Sequence, residues 1–480
     1  MTETRPSVLW TTDEVLAATG GTASGVADWQ AFGVAIDSRT IESGDLFVAI
    51  AGPNHDGHQF VADAIQAGAV AALVAESYEA PHADMPLVRV PDPLAALRQL
   101  GEAARARMQG TVVAVTGSVG KTGTKEALRG ALDRMKPTHA SVGSFNNHWG
   151  VPLSLARLPR DAGFAVFEIG MNHAGEIGPL SRLVRPHVAI ITTVEPVHLE
   201  FFDSVIGIAD AKAEIFEGLE PGGIAILNRD NTHYDRLAKA ATAAGIAKII
   251  GFGESEAADA RLIKASYNEN CTCISADICG QAMTYKIGAP GRHWVVNSLA
   301  VLAAVSAADA DLGLAGLALA DLSPPEGRGQ RTTVTTRDGS FLVIDESYNA
   351  NPASMRAAIE LLGTSLVART GRRIAVLGDM LEMGDESPAF HKDLAPIIEA
   401  AKVHLVFCCG PNMKALADSL SPLGLGAWAE DSDGLVGAVV AAAQPDDVFM
   451  IKGSLGSRMA PIVQALKALD RQPQRANGGR

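Results

Sequence analysis

The chain has 480 residues, with 54 acidic against 40 basic side chains for a net charge of −14, and only 5% aromatic residues. At this length roughly three domains of 100 to 200 residues are expected. The acidic balance repels a phosphate-rich duplex and the scarce aromatics offer little stacking surface, so nucleic acid is not an expected partner.

No stretch approaches the ~18 apolar residues of a membrane span, and the opening MTETRPSVLWTTDEVLAATGG lacks a signal-peptide core. A cytoplasmic protein is expected. Its five cysteines suit a reducing compartment as thiols. Cys271, Cys273 and Cys279 find no histidine or further cysteine pair to complete a zinc set, and are expected as small buried hydrophobes.

Residues 1–107 read as a first α/β unit, opening with a helix capped at Thr11 or Thr12. Strand-like runs at 34–37 and 46–50 flank a turn at Ser43 and Gly44. Ser38 and Arg39 fall at a strand end, and Asp56, Gly57 and His58 in the next loop. A hydroxyl, a guanidinium and an imidazole together can hold a diphosphate or uridine. They can equally be a solvated loop with an ordinary surface pair.

The second unit, 108–331, is built on TVVAVTGSVGKTGTKE at residues 111–126. The β-branched run 111–116 suits a strand covered on both faces. Gly117, Ser118, Val119 and Gly120 then form a loop whose backbone can approach a phosphate, ahead of a helix whose N-terminus favours anions. In this pattern Lys121 reaches the outer phosphates of a nucleotide and the Thr122 hydroxyl ligates Mg²⁺. Val115 stands where the full eight-residue consensus has glycine, so the match is to a shorter variant, TGxxGKT.

Downstream, the amide-rich turn with Asn146, Asn147 and His148 can hold substrate or satisfy its own backbone. Glu168 ends a strand at 164–169, where ligands of parallel sheets gather, and is placed for a metal. His198, after the strand 188–194, is either a second ligand or a surface histidine. Lys212 lies on a helical stretch where pairing with Glu214 or Glu217 is the ordinary expectation. Strands at 223–228 and 247–251 extend the sheet, residues 262–287 suggest a small antiparallel appendage, and a helix over 294–309 carries Asn297.

The third unit, 332–480, alternates strands at 341–345, 373–378, 403–408 and 448–452 with helices, a Rossmann-like pattern without GxGxxG. Its first strand ends in DESYNANP, which points to a site shared with the neighbouring unit. RQPQRANGGR at the C-terminus reads as a mobile tail.

Taken together these segments resemble the ATP-dependent Mur ligases of cell-wall precursor synthesis, over nearly the whole chain and in the same order. DSR…GDLFVAI…DGHQF is similar to the family's uridine-nucleotide domain and TGSVGKTGTKE to its shortened phosphate loop. NNHWGVP, EIGMNHAGEI, HLEFF…AKAEIF, DESYNANP and LGDMLEMG resemble its later signatures. DESYNANP and Gly175–Glu176–Ile177 favour the branch that adds a dipeptide over those that add single amino acids.

The resemblance implies three domains: an N-terminal uridine-nucleotide-binding α/β unit, a central P-loop parallel-sheet ATPase domain and a C-terminal Rossmann-like domain. It implies ATP and Mg²⁺ as cofactors, with UDP-N-acetylmuramoyl-tripeptide and D-alanyl-D-alanine as partners of a monomer. Lys121 and Thr122 would serve ATP and Mg²⁺, Glu168 and His198 the metal, and Asn297 and Arg331 the nucleotide. Asp345 would meet the ribose, while Tyr348, Asn349 and Asn351 would line the dipeptide side. Lys212 matches a position carbamylated in sister ligases, where the modified side chain is an anion able to help hold a second Mg²⁺. Two positions depart from the family pattern: Gly123 replaces a commoner Ser or Thr, and Trp294 replaces an amide, offering an aromatic face for adenine.

Folylpolyglutamate synthases share the short phosphate loop but lack a unit like residues 1–107. A GTP-dependent switch would need an NKxD-type tetrad, and the chain has none.

Overall fold

A computed structural model describes residues 7–470 apart from 27, 53–54, 269 and 421–423; the expected RQPQRANGGR tail lies outside the described residues. Among them, no helix is long and apolar enough to cross a membrane.

The central sheet has nine strands. Thr111–Thr116 sits between Phe164–Glu168 and Val188–Ile191, parallel to both. Alternation sends Val112 and Ala114 into one core and Val113 and Val115 into the other. The first is covered by helices Pro93–Arg107, Gly150–Ala156 and Ile177–Val184. The second is covered by Lys121–Asp133 and Arg292–Ala307. The strand is thus apolar on both sides, and its carboxyl end delivers the phosphate loop to the sheet's edge.

Beyond Ile224–Asn228 and Lys248–Gly253 the sheet continues through Ala260–Tyr267, Thr272–Ile278 and Gln281–Ile287, the last three mutually antiparallel. The expected appendage is therefore an extension of the main sheet. One of its faces packs on Arg292–Ala307 and the other meets solvent. This corrects the reading of the cysteines. Thr272, Ile274, Ala276 and Ile278 point inward, which turns Cys273 outward. Cys279 is exposed in the following turn and Cys271 is half-buried, while only Cys408 and Cys409 are buried; all five are free thiols.

The N-terminal sheet has the order Thr22–Ser24, Leu87–Val90, Ala71–Ala75, Asp45–Val48, Gly33–Ala35. Its last two strands pair parallel, so Ser43 and Gly44 turn the chain without making a hairpin. Helix Thr12–Thr19 is capped by Thr11, in a reciprocal box with Glu14. The apolar core is continuous from Leu9 to Ile246, with Leu97 and Leu100 packed in the same cluster as Leu153 and Leu155. Trp10 Nε1, in a short strand paired with Gln30–Ala31, donates to Ala156 O at the end of helix Gly150–Ala156 at 2.8 Å and adds a polar fastening between the first and second units.

The C-terminal sheet has six strands. Ser340–Glu346, Val448–Lys452, Arg373–Gly378, Leu405–Cys409 and Leu425–Ala429 are parallel, with Gln330–Thr335 as an antiparallel edge. Helix Pro352–Thr364 starts at a capping box between Asn351 and Ser354, directly after DESYNA.

Candidate active site

The phosphate loop leaves its strand at Gly117 and enters helix Lys121–Asp133 at Gly120, whose φ of +85° suits glycine. No side chain caps this helix, so its first-turn amides are available to an anion. A Cβ on Gly120 would stand 2.7 Å from Asn297 Nδ2, so the carboxamide rests directly on the loop. Thr192 Oγ1 donates to Val119 O at 2.6 Å, and Ser118 Oγ donates to Glu195 O at 3.0 Å. These bonds hold the loop open against the neighbouring strand.

Lys121 folds back, its Nζ 2.7 Å from Gly117 O. Burial pushes its pKa down, Glu168 opposes that shift, and Arg328 adds to it. Thr122 Oγ1 donates to Glu168 Oε2 at 2.8 Å, and Asn146 Nδ2 donates to Glu168 Oε1 at 2.7 Å. A buried carboxylate at a strand end and a hydroxyl in the first turn of the helix after the adjacent strand therefore meet, a hard-oxygen donor pair of the kind Mg²⁺ prefers.

Buried Lys125 keeps the Asn146 turn in place, donating to Ser141 O at 2.5 Å and Gly143 O at 2.8 Å. The two departures from the family pattern form one packing unit. A Cβ on Gly123 would stand 2.8 Å from Trp294 Cη2, so the indole occupies the space a side chain there would need.

The phosphate loop forms one wall of a cleft of about 920 Å³, and the DESYNANP turn forms the other. Glu346, Tyr348, Asn349 and Asn351 line it, together with Lys452 from the end of a C-terminal strand. Lys452 Nζ donates to Glu346 Oε2 at 3.3 Å and Asn349 O at 3.0 Å, and burial lowers its pKa. Between the walls, Arg328 lies 4.0 Å over the Tyr348 ring and donates to Ser144 Oγ at 3.2 Å.

Several expected residues lie elsewhere. Arg331 sits in edge strand Gln330–Thr335 and does not line the cleft; the arginine that does is Arg328, three positions earlier in GRGQR. Lys452 was also missed, because a lysine closing an apolar strand carries no motif of its own. Asp345 is buried and accepts from Ser347 N at 3.1 Å and Ser347 Oγ at 2.6 Å, shaping the turn. Asn147 Oδ1 accepts from Trp149 N and Gly150 N, a backbone role.

Arg39 is held by Asp37 at 2.6 Å beside Ser38. His58 Nδ1 pairs with Asp56 at 2.6 Å while its Nε2 accepts from Ala75 N at 2.9 Å. His198 pairs with Glu382 of the C-terminal unit.

Lys212 breaks the ordinary expectation. Glu214 accepts instead from Gly175 N, Ile177 N and Gly178 N, and Glu217 pairs with Arg182. Lys212 is 2% exposed and makes no ion pair among the described residues. Burial, with a smaller push from Lys121, drives its pKa well below the usual lysine range.

Three family models match the chain: the Mur ligase family catalytic domain over residues 31–105, the Mur ligase middle domain over 115–305, and the Mur ligase glutamate ligase domain over 330–455. UDP-N-acetylmuramoyl-tripeptide--D-alanyl-D-alanine ligase of Bacillus subtilis is 34% identical over 443 residues, covering 90% of this chain and 93% of the relative. The chain belongs to the Mur ligase family. The Rickettsia prowazekii ligase of the same name is 33% identical over 90% of this chain and 94% of its own length. Among solved Mur ligases, MurF from Acinetobacter baumannii superposes with a TM-score of 0.81 at 30% identity, covering 96% of this chain and 99% of that one. MurF from Thermotoga maritima, solved in complex with ADP, gives 0.76 at 26% identity over 91% and 97%.

Proposed function

We propose that this chain is an ATP-dependent ligase that joins D-alanyl-D-alanine to UDP-N-acetylmuramoyl-tripeptide. The observation that carries the reading is the single cleft in which Lys121, Thr122 and Glu168 face the DESYNANP turn. Relatives of this length, similarity and name support it.

Amide formation from a carboxylate needs an oxygen that can leave. In the proposed path the tripeptide's terminal carboxylate attacks the γ-phosphorus of ATP. The bond from that phosphorus to the β,γ-bridging oxygen breaks, giving ADP and an acyl phosphate. The dipeptide's amine then attacks the acyl carbon, the carbon–oxygen bond to phosphate breaks, and the nitrogen gives up its proton.

Bringing two anions together is the main barrier, and here positioned charge lowers it. Lys121, Arg328 and Lys452 place three cations around one cleft. Thr122 and Glu168 would hold Mg²⁺, with His198 as a further ligand; bound there, the metal supplies charge neutralisation. Asn297 serves the nucleotide, while Tyr348, Asn349 and Asn351 serve the dipeptide. Lys212, buried and with its pKa lowered, offers the amine that carbamylation requires, and the product would be an anion beside the phosphate site. The uridine end of the substrate is assigned to the N-terminal unit, so closure of the units would exclude water from the acyl phosphate.

The test is phosphate release from ATP with UDP-N-acetylmuramoyl-tripeptide, with and without D-alanyl-D-alanine, alongside D-alanine, L-lysine and glutamate. Dipeptide-dependent release and a UDP-pentapeptide of the right mass are expected. Release with a single amino acid would move the chain to a sister step, and slow release indifferent to every acceptor would overturn the ligase reading.

A further inference from the structure

We infer that Glu382 is a positioning residue for His198, so that the C-terminal unit sets the orientation of an imidazole on the phosphate side of the cleft. His198 Nδ1 lies 2.5 Å from Glu382 Oε2, across the boundary between the two units. A carboxylate only accepts, so Nδ1 carries a proton, and in the neutral ring Nε2 then keeps the lone pair. Histidines that serve a metal or a phosphate site are commonly fixed in this way by an outer carboxylate.

Two further residues of the same short segment also make contacts. Glu200 N donates to Glu382 O at 3.3 Å. Leu199 packs against both the central core and the C-terminal core. Both partners hold left-handed backbone, φ 55° at His198 and φ 60° at Glu382, conformations that non-glycine residues keep only where the surroundings impose them. The Glu382 carboxyl is itself held below its usual range, chiefly by the hydrogen bond from His198. Both residues line the cleft, and no other side chain of the described residues bonds the His198 ring.

The consequence is a dependence of one unit on the other. With the C-terminal unit docked, the ring is fixed in one tautomer and one orientation; with the unit displaced, it loses both. The kinetic part of this inference rests on the proposed ligase reaction, and the spectroscopic part does not.

Ring ¹⁵N shifts of His198 in the full chain, assigned by their loss in His198→Ala, should show a single Nδ1–H tautomer. Glu382→Ala should convert this to a mixed population, and Glu382→Gln, which keeps an acceptor oxygen, should restore most of it. In turnover, Glu382→Ala should lower kcat roughly 10- to 100-fold with the KM for ATP little changed. The same substitution should cost nothing further in a His198→Ala background. Glu386→Gln, at an exposed neighbour, should leave turnover unchanged. An unaltered His198 tautomer in Glu382→Ala, or in Glu382→Gly, which suits the left-handed backbone there, if the alanine variant does not fold, together with additive kinetic losses, would overturn the inference. Absence of dipeptide-dependent turnover in the wild-type chain would sink the ligase reading alone, leaving the ring shifts to decide this one.

Discussion

The phosphate loop and the N-terminal turns at Ser38–Thr40 and Gly57–Phe60 all carry polar residues close to buried parallel strands, yet the fold uses them oppositely. In the loop, Lys121 donates only to the carbonyls of Gly117 and Ser118 among the described residues, no side chain caps its helix, and the loop lines the cleft. In the N-terminal segment Arg39 is taken by Asp37, and both nitrogens of His58 are taken by Asp56 and the backbone of Ala75. Polar residues at a strand end serve a ligand only where the local backbone does not consume them first.

The largest expected effect tests the loop's side of that contrast. Lys121→Ala should lower turnover by about 10³-fold, the scale of losing one preorganised charge at a reacting phosphate. Among the described residues its partners are two loop carbonyls, so the fold and Tm should be nearly unchanged. A folded, active Lys121→Ala protein would remove the loop from the mechanism and end the contrast.

Lys212 is the intermediate case, a buried cationic residue type with no partner from the fold. Because burial lowers its pKa, below the ordinary lysine range the native chain holds this proton less tightly than the unfolded chain does. This linkage destabilises the native state there, and the penalty fades as pH rises toward the ordinary lysine value. Lys212→Met should therefore be neutral to stabilising in Tm while lowering turnover roughly 10- to 100-fold. Mass spectrometry and bicarbonate depletion check the carbamylation separately, and no response to CO₂ in either would discard it. A clear loss of Tm would mean that the fold does use this side chain.

Much of this site was legible as sequence. Ser118 to Thr122, Asn146, Glu168 and Asn297, which line one cleft, could be named as candidates because each is tied to chain position: a loop after a strand, a strand end, a helix start. Arg328 was not singled out beside Arg331, since GRGQR offers two arginines and only the sheet register shows which one joins the edge strand. Lys452 and Glu382 were invisible for a different reason. Each acts on a partner more than 100 residues away, Glu346 and His198 respectively, and no local pattern records such pairings. The cysteines at 271–279 failed for the same cause, because which face of the hairpin is covered depends on Arg292–Ala307.

The other side of the contrast is probed at His58. His58→Ala leaves the Ala75 N–H without its acceptor at a partly buried site, an expected cost of about 1 kcal/mol. If the segment is structural, Tm falls and the KM for the uridine-nucleotide substrate stays within experimental error. A large rise in that KM with Tm unchanged would show that the ring leaves its internal partners for the ligand, and the contrast would have to be redrawn.

The smallest effect is one of slope, at His139 on the edge strand Thr138–Ala140. Its Nε2 lies 2.7 Å from Ser154 O, a carbonyl, so the neutral ring donates there, and Phe167 packs beside it with centroids 5.9 Å apart. Burial lowers its pKa from 6.5 to about 4, and nearby Arg157 pushes in the same direction. In that window the unfolded chain holds a proton that the native chain refuses. Stability must therefore fall as pH drops from 6.5 toward about 4, while above the window this residue adds no slope. His139→Gln keeps an N–H for Ser154 O but cannot titrate. Because His187 and His293 remain in both proteins, the difference between their Tm profiles isolates this ring. The variant should show a shallower acid fall with turnover above the window unchanged, as expected of a polar group the fold has consumed. Equal slopes would mean that the ring reaches solvent and protonates freely, placing His139 with the exposed residues and outside the contrast.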